Sequence, residues 1–436
     1  MIYIYCSDLK NHQPLGTFLE LIYYLHSIKG EEVVPFVIAG ERDVSRTENL
    51  KKLLETIGVK QSIIINSSSS TDHLLAEKTA SELLKNVTSL KNLKDMVYRG
   101  IHIGVGIASS LISNKRCTSI DISKHMEEVH SYTVHTIFFL DSFIDTTHKK
   151  LTEKDTIYIY NGRHYNTYPQ SLASEKQGYK IYYYERMNSW NNLKIQHERI
   201  HDFYSTSSIV KQFWEQSNDP NKAKIGELFY SQNKDNKFTK RFSQAVNINK
   251  KIISFFASSE DEFESLDTRI TLSRIFTSQR AAVTWLMEWA KQQEEYELVI
   301  RLHPNQKNIC PLDYDYWHNL KGKNTTIISS DSNLDTYSLI SNSNKVLSYL
   351  STVGIEATRM GVPSITLGLP IYSGLDAVYE PKNIKELEYM INNDIKPKDI
   401  NNTLPYGYYT LEYGPKLRFM EKMKLVSFEN YPELLS

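Results

Sequence analysis

Cysteine is scarce: Cys6, Cys117 and Cys310 are the three in 436 residues. They lie far apart, are odd in number and form no C-x-x-C pair. This usage predicts neither a disulfide framework nor a zinc site, and a reducing cytoplasm suits it. No apolar run approaches the ~18 residues that a bilayer-spanning helix needs. The opening MIYIYCSD has no basic segment and no long apolar core, so it reads as a strand and not as a signal peptide. Neither sign of charge is in excess, since Lys+Arg and Asp+Glu both number 51; no global basic field is present to gather nucleic acid. No G-x-x-x-x-G-K-[ST] occurs, which excludes P-loop chemistry. Tryptophan is rare at 5 against 29 tyrosines, and tyrosines often line sugar sites.

What is present is an alternation of strands and helices, long enough for two domains. Ile2–Tyr5, Val33–Ile38 and Gln61–Ile65 read as strands between helices over Leu15–Ile28 and Glu48–Ile57. The serines Ser67–Ser70 read as a solvated loop before a helix from Asp72. Thr133–Leu140, Thr156–Tyr160 and Tyr179–Tyr184 read as further strands, with a helix over Gln170–Gln177. Polar residues crowd together over Asn236–Asn249, where the domain junction is placed. Lys250–Ala257, Glu297–Leu302, Thr325–Ser329 and Lys345–Leu350 then restart the alternation. The pattern predicts parallel sheets covered on both faces. The expected division is 1–245, 246–410 and a tail, 411–436, whose last helix lies near Pro415–Lys424 and packs back on the N-terminal domain.

The most informative stretch is Lys345–Gly368, KVLSYLSTVGIEATRMGVPSITLG. It reads as strand, small polar loop, helix and strand, with Gly361 ending the helix and Pro363 barring its continuation. Ser351 and Thr352 stand at the helix start, where free N–H groups form a natural phosphate seat. The alternative is a simple turn, which every βαβ unit has. Two other loops of the second half also follow parallel strands: Ser258-Ser259, and His303-Pro304 after Arg301. Parallel connectivity puts all three on one sheet edge, which suits a nucleotide phosphate held without a metal. His303 would donate from one ring nitrogen, or from both if protonated. Arg301 would point away from the face of His303. Ser259 and Glu262 also have capping-box spacing, a reading compatible with free N–H groups beside them.

In the first half, NGRHYNTYP (161–169) turns immediately after a strand, and YYYER (182–186) ends another. Arg163 and Glu185 therefore fall at the carboxyl ends of consecutive strands, where ligands bind in open α/β sheets; a structural ion pair is the alternative. Gly104, Gly106 and Ser109 echo a dinucleotide fingerprint but lack a preceding strand, leaving close helix packing or an acceptor-binding loop. Asp313 and Asp315 form a D-x-D in an expected loop, a poor context for a metal. His197 and His201 are spaced for one helix face, without a third ligand.

The segments FFASSEDEF, SQRAAVTWL, RLHPN and SYLSTVGIEATRMGVP together resemble the GT-B glycosyltransferases of bacterial capsule and lipopolysaccharide assembly. NGRHYNTYP and YYYER are similar to the N-terminal half of that group. The His-Pro and serine motifs also resemble those of bacterial sialyltransferases and Kdo transferases that use CMP-sugars, with Thr352 where many relatives have a second serine. The resemblance implies an α/β GT-B fold, two Rossmann-like domains with parallel sheets facing across a cleft. It implies a nucleotide-sugar donor as substrate, no separate cofactor, and a glycan or glycolipid acceptor. It places His303, Ser351 and Thr352 on the donor phosphate and Glu356 near the ribose. Ser258, Ser259 and Arg301 complete the expected donor set. The N-terminal half should then supply the catalytic group. Glu185 is the first choice, Asp141 and Asp8 are reserves that would also follow strands, and Arg163 would hold an anionic carboxylate. An epimerase or a CDP-polyol phosphotransferase on the same fold, or a non-catalytic assembly protein, are the rivals. Work at the inner membrane face through a basic surface patch stays open, with no amphipathic anchor evident.

Overall fold

The computed structural model describes residues 1–40, 44–66, 70–187, 191–234, 249–266, 274–421 and 424–425. The expected junction at 236–249 lies almost wholly outside the described residues, as do Ser67–Ser69 of the serine loop and the chain beyond 425.

Two parallel sheets carry the molecule. The first orders its strands β3-β2-β1-β4-β5-β6, with β1 Ile2–Cys6, β2 Val33–Ala39, β3 Ile63–Asn66, β4 Thr156–Tyr160, β5 Lys180–Arg186 and β6 Leu193–Gln196. Every pairing is parallel except β5 with β6. The second orders β9-β8-β7-β10-β11, all parallel, with β7 Lys251–Phe256, β8 Tyr296–Arg301, β9 Thr325–Ile328, β10 Lys345–Ser348 and β11 Ser364–Thr366. Both are Rossmann orders, so strand direction across each sheet reverses its winding once, between β1 and β4 and between β7 and β10. Apolar clusters cover both faces of each sheet. That explains the near-continuous apolar strands that the sequence shows.

Four expectations are corrected. Thr133–Leu140 is not a strand but the middle of a long helix, Met126–Lys150. Its β-branched and aromatic run favours a strand locally, yet Val129, Thr133, Ile137, Leu140 and Ile144 are buried at helical spacing, and packing overrides propensity. Asp141 consequently rides a helix, bound to Tyr98 Oη at 2.9 Å and Arg99 at 2.7 Å, and is no strand-end reserve. β6, Leu193–Gln196, is a strand where the sequence pattern announces none. The helix expected near Pro415–Lys424 is absent; a helix runs instead over Leu404–Glu412, and Leu193 N–H donates to Pro415 O at 2.8 Å beside β6. The Arg418 and Phe419 N–H groups then donate to the buried Glu20 carboxylate at 2.7 and 2.5 Å, tying this segment to the first sheet's helix His12–Ile22.

The fourth correction concerns sulfur. Cys117 and Cys310 are joined in a disulfide across a sequence separation of 193. Their distance along the chain hides a pairing that only the approach of the two halves creates. Cys6 is free and buried. Of the alternatives at Gly104, close helix packing holds: a Cβ there would stand 1.7 Å from the Leu93 carbonyl oxygen. Among the described residues no helix is long and apolar enough to cross a membrane.

Candidate functional site

The second sheet brings three expected loops to one edge. β8, β7 and β10 are consecutive neighbours, and their carboxyl ends lead into His303, Ser258 and Ser351. The Ser258 and Ser351 loops flank the crevice where the winding reverses. Leu350 N–H donates to Ser258 Oγ at 3.3 Å, which ties those loops together. Gln279 braces the same turn from a helix start, exchanging bonds with the Ser258 N–H at 2.8 Å and C=O at 3.0 Å. Sequence reasoning did not single out this glutamine.

The expected capping box at Ser259 and Glu262 does not form. Ser259 Oγ donates to Asp261 Oδ1 at 2.5 Å, and Glu262 accepts from Asn305 Nδ2 at 3.1 Å, coupling the Ser258 and His303 loops. A real capping box sits at His303. Its Nδ1 accepts from Asn305 N–H at 3.1 Å, and its own N–H donates to Gln306 Oε1 at 2.8 Å. Burial pushes the His303 imidazole down to about 4. The ring is therefore neutral at neutral pH and has one donor, Nε2–H; donation from both nitrogens is excluded.

Arg301 is committed elsewhere. It donates to Ser329 O at 2.5 Å and Ser332 O at 3.3 Å, carbonyls beyond β9, away from the crevice. Ser351 Oγ accepts from Val353 N–H at 3.3 Å, and Thr352 precedes a helix of seven residues, Val353–Arg359. A helix that short adds little dipole, so the hydroxyls and loop N–H groups are the polar groups this edge presents. Glu356 is buried, accepting from Tyr337 Oη at 2.6 Å, and its carboxyl is pushed up by burial against the pull of the Tyr337 and Thr352 hydroxyls. Its carboxylate is thus engaged by both hydroxyls.

The site residues expected of the first sheet lie at the ends of β4 and β5. Asn161 and Gly162 turn the chain after β4 with φ of 56° and 78°, and a Cβ on Gly162 would stand 2.5 Å from the Tyr183 ring. The turn aims Arg163 at the second half, where it donates to Ser265 Oγ at 2.7 Å and Glu262 O at 3.4 Å. Arg163 thus joins the halves and does not form the direct ion pair with Glu185 that the sequence left open. Glu185, at the end of β5, accepts from Asn161 Nδ2 at 3.0 Å. His201 Nε2 lies 3.8 Å from the same carboxylate and 3.2 Å from the same amide. Burial raises the Glu185 carboxyl, opposed by Arg163, Arg186, Lys194 and the Asn161 bond. Burial holds His201 well below its ordinary value, so it is neutral.

Sequence reasoning missed Asn161 and His201 as partners of Glu185. His197 and His201 do not share a helix: His197 follows β6 and bonds the Ile181 carbonyl. Asp8 stays at the end of β1 but caps its own loop, accepting from the Lys10 and Asn11 N–H groups at 3.0 Å each. Glu185 lines a cavity of about 120 Å³. Its wall also holds Arg186, Lys194 and His201 from the first half and Ile371, Tyr406 and Tyr409 from the second. Tyr372, the residue after Ile371 of that wall, donates to Ser351 O at 2.6 Å.

Asp313 of the D-x-D lies on helix Pro311–His318, not in a loop. Its carboxylate accepts from Thr118 N–H at 2.5 Å, Thr118 Oγ1 at 2.9 Å, Ser119 Oγ at 2.7 Å and Arg280 at 2.7 Å. Burial would raise this carboxyl, but those donors outweigh it and hold it below its usual value. Cys117, Cys310 and Asp313 place ligand atoms within 4.8 Å of one another, yet the sulfurs bond each other and the carboxylate is saturated, so they do not fit a metal. Asp313→Ala should cost about 2–4 kcal/mol by stranding buried donors and Arg280. A urea titration checks this; an unchanged midpoint would refute it.

Residues 217–377 match the family described as capsule polysaccharide biosynthesis protein. No curated protein matches the chain by sequence. Among solved structures, the Thermosulfurimonas dismutans KpsC β-Kdo 2,4 transferase is similar at 10% identity and a TM-score of 0.38, over 58% of this chain and 78% of that one. The UDP-GlcNAc 2-epimerase of Neisseria meningitidis, bound to UDP-GlcNAc, is similar at 14% identity and a TM-score of 0.29, over 94% and 98% of the two chains. The glycosyltransferase SnogD of Streptomyces nogalater is similar at 8% identity and a TM-score of 0.24, over 95% and 96%.

Proposed function

Taking the match of residues 217–377 to the capsule polysaccharide biosynthesis family as premise, we propose that the protein is a glycosyltransferase of capsule assembly. It moves a sugar from a nucleotide-sugar donor, CMP-activated in the reading that the serine and His-Pro motifs favour, onto a growing glycan. The observation that carries this reading is the convergence at one sheet edge of the Ser258, His303 and Ser351 loops, with Tyr372, which follows Ile371 of the Glu185 cavity wall, bonded to the Ser351 carbonyl. Ser351, Thr352 and His303 Nε2–H receive the donor phosphate. Glu185 takes the proton of the acceptor hydroxyl as that oxygen bonds the sugar's anomeric carbon. The bond from that carbon to the phosphate breaks, and the leaving phosphate keeps the electron pair, held by neutral hydrogen-bond donors.

A melting screen of CMP, CDP, UDP, GDP and ADP tests the donor seat. A nucleotide at about 100 times its Kd stabilises the fold by about 2.7 kcal/mol. His303→Ala should weaken that nucleotide by about tenfold or more, the loss of about 1.4 kcal/mol of hydrogen bonding at a phosphate. No response to any nucleotide would instead favour a non-catalytic assembly protein. Conversion of the donor sugar without an acceptor would favour an epimerase.

A further inference from the structure

Asn161 holds two titratable side chains at once. Its Nδ2 lies 3.0 Å from Glu185 Oε2 and 3.2 Å from His201 Nε2. An amide nitrogen carries two hydrogens and accepts none, so both neighbours must accept. His201 therefore carries its single ring proton at Nδ1, and the Nε2 lone pair is taken up by Asn161. The reversed amide would turn its oxygen towards Glu185, so the carboxylate fixes which way the amide points. His201 Nε2 stands 3.8 Å from Glu185 Oε2, beyond hydrogen-bond reach, so the imidazole meets the carboxylate only through the amide.

The backbone puts the amide there. Asn161 is left-handed, and its N–H donates at 3.0 Å to Tyr184 O, the carbonyl just before Glu185. Asparagine tolerates that conformation better than most residues, but glycine suits it best, so the turn alone does not require an amide. The Asn161 side chain is buried, and its Oδ1 has no hydrogen-bond partner. A buried acceptor without a donor costs stability, so this amide is placed for what its hydrogens do.

We infer that Asn161 is the positioning residue of the base: it holds Glu185 Oε2, leaves Oε1 to the acceptor hydroxyl, and keeps His201 from taking the proton instead. The inference rests on the reading of Glu185 as base. Tyr160 on β4, Arg163 in the turn after it, Arg186 on β5, Lys194 on β6 and His201 also face the carboxylate, and Tyr406 and Tyr409 share its cavity from the second half. The three cations act on it through charge, whereas Asn161 is its hydrogen-bond donor among the described residues. Burial raises the Glu185 carboxyl and the amide opposes that rise. Removing the amide therefore raises it further, and a higher pH is then needed to ionise the base.

Asn161→Gly keeps the turn and removes the amide. The acid limb of its pH–rate profile should move up by about one pH unit or more, the worth of a hydrogen bond to a charged group, so that on this limb the rate falls about tenfold at a given pH. Affinity for the stabilising nucleotide should stay within about twofold. With Glu185→Gln already in place, Asn161→Gly should change the rate by less than about twofold, since it acts through that carboxylate. A second measurement needs no variant at position 161. Imidazole nitrogen NMR of the folded wild type, with the His201 signals assigned by their loss in His201→Gln, should show a proton on Nδ1 and none on Nε2 down to about pH 5. An unmoved acid limb in Asn161→Gly, or a proton on His201 Nε2, would overturn the inference. Full activity of Glu185→Gln would remove the base and the proposed function with it. Loss of transfer in Glu185→Gln beside an unmoved limb in Asn161→Gly defeats the inference alone and spares that function.

Discussion

Replacing Glu185 with Gln should lower single-turnover transfer by about 10²–10⁴-fold, the range for losing a positioned general base, while donor affinity stays within about twofold. The amide keeps the side chain's shape, and its carbonyl still accepts from Asn161 Nδ2, now 3.0 Å from Oε2. It cannot take a proton. The same substitution should leave the fold as stable or more so. Burial raises the folded pKa of Glu185 above the unfolded carboxyl value of about 4.3. As pH rises past the unfolded value, the unfolded chain ionises first, so stability is lost until the folded pKa is crossed, and above it the cost is constant. Glu185→Gln should therefore melt at or above the wild type at pH 8, and the difference should shrink towards pH 4. Turnover should fall as pH drops through the raised folded pKa. A variant with full activity, or one that melts far lower at pH 8, would contradict the assignment.

Opening the Cys117–Cys310 bridge should cost about 2–4 kcal/mol, since it closes a loop with a sequence separation of 193 and constrains the unfolded chain. Cys117→Ser, Cys310→Ser or a thiol reductant should lower Tm by several degrees. Nucleotide affinity should fall with it. Next to Cys117, Arg116 donates to Asn305 O at 3.0 Å, and Asn305 N–H caps the His303 ring. Thiol titration of the protein unfolded without reductant gives the direct count. One thiol, that of Cys6, is expected; three would show the bridge unformed.

The sheets were legible because buried parallel strands announce themselves as short apolar runs bounded by polar loops. Lys345–Gly368 became the strand, loop, helix and strand that its residues spell, Gly361 with φ of 76° included. The strand-end placement of Ser258, His303, Ser351 and Glu185 followed from that pattern alone. What was not legible depends on partners far away in the chain. TVHTIFFL reads as a strand until the helices against which it packs are known. Leu193–Gln196 hides as a strand because its Lys194 and Gln196 are buried, against composition. His201 belongs to Glu185 only through the turn that positions Asn161. The disulfide and the Asp313 cluster exist only where the halves meet, and no local spacing encodes that meeting.

Backbone hydrogen exchange, with and without the stabilising nucleotide, tests most directly where the donor sits. The account predicts added protection at residues 257–259, 302–306 and 349–354, the loops after β7, β8 and β10, and the same pattern in Glu185→Gln. Protection confined to the first sheet, or spread evenly over the chain with those three loops unchanged, would contradict it.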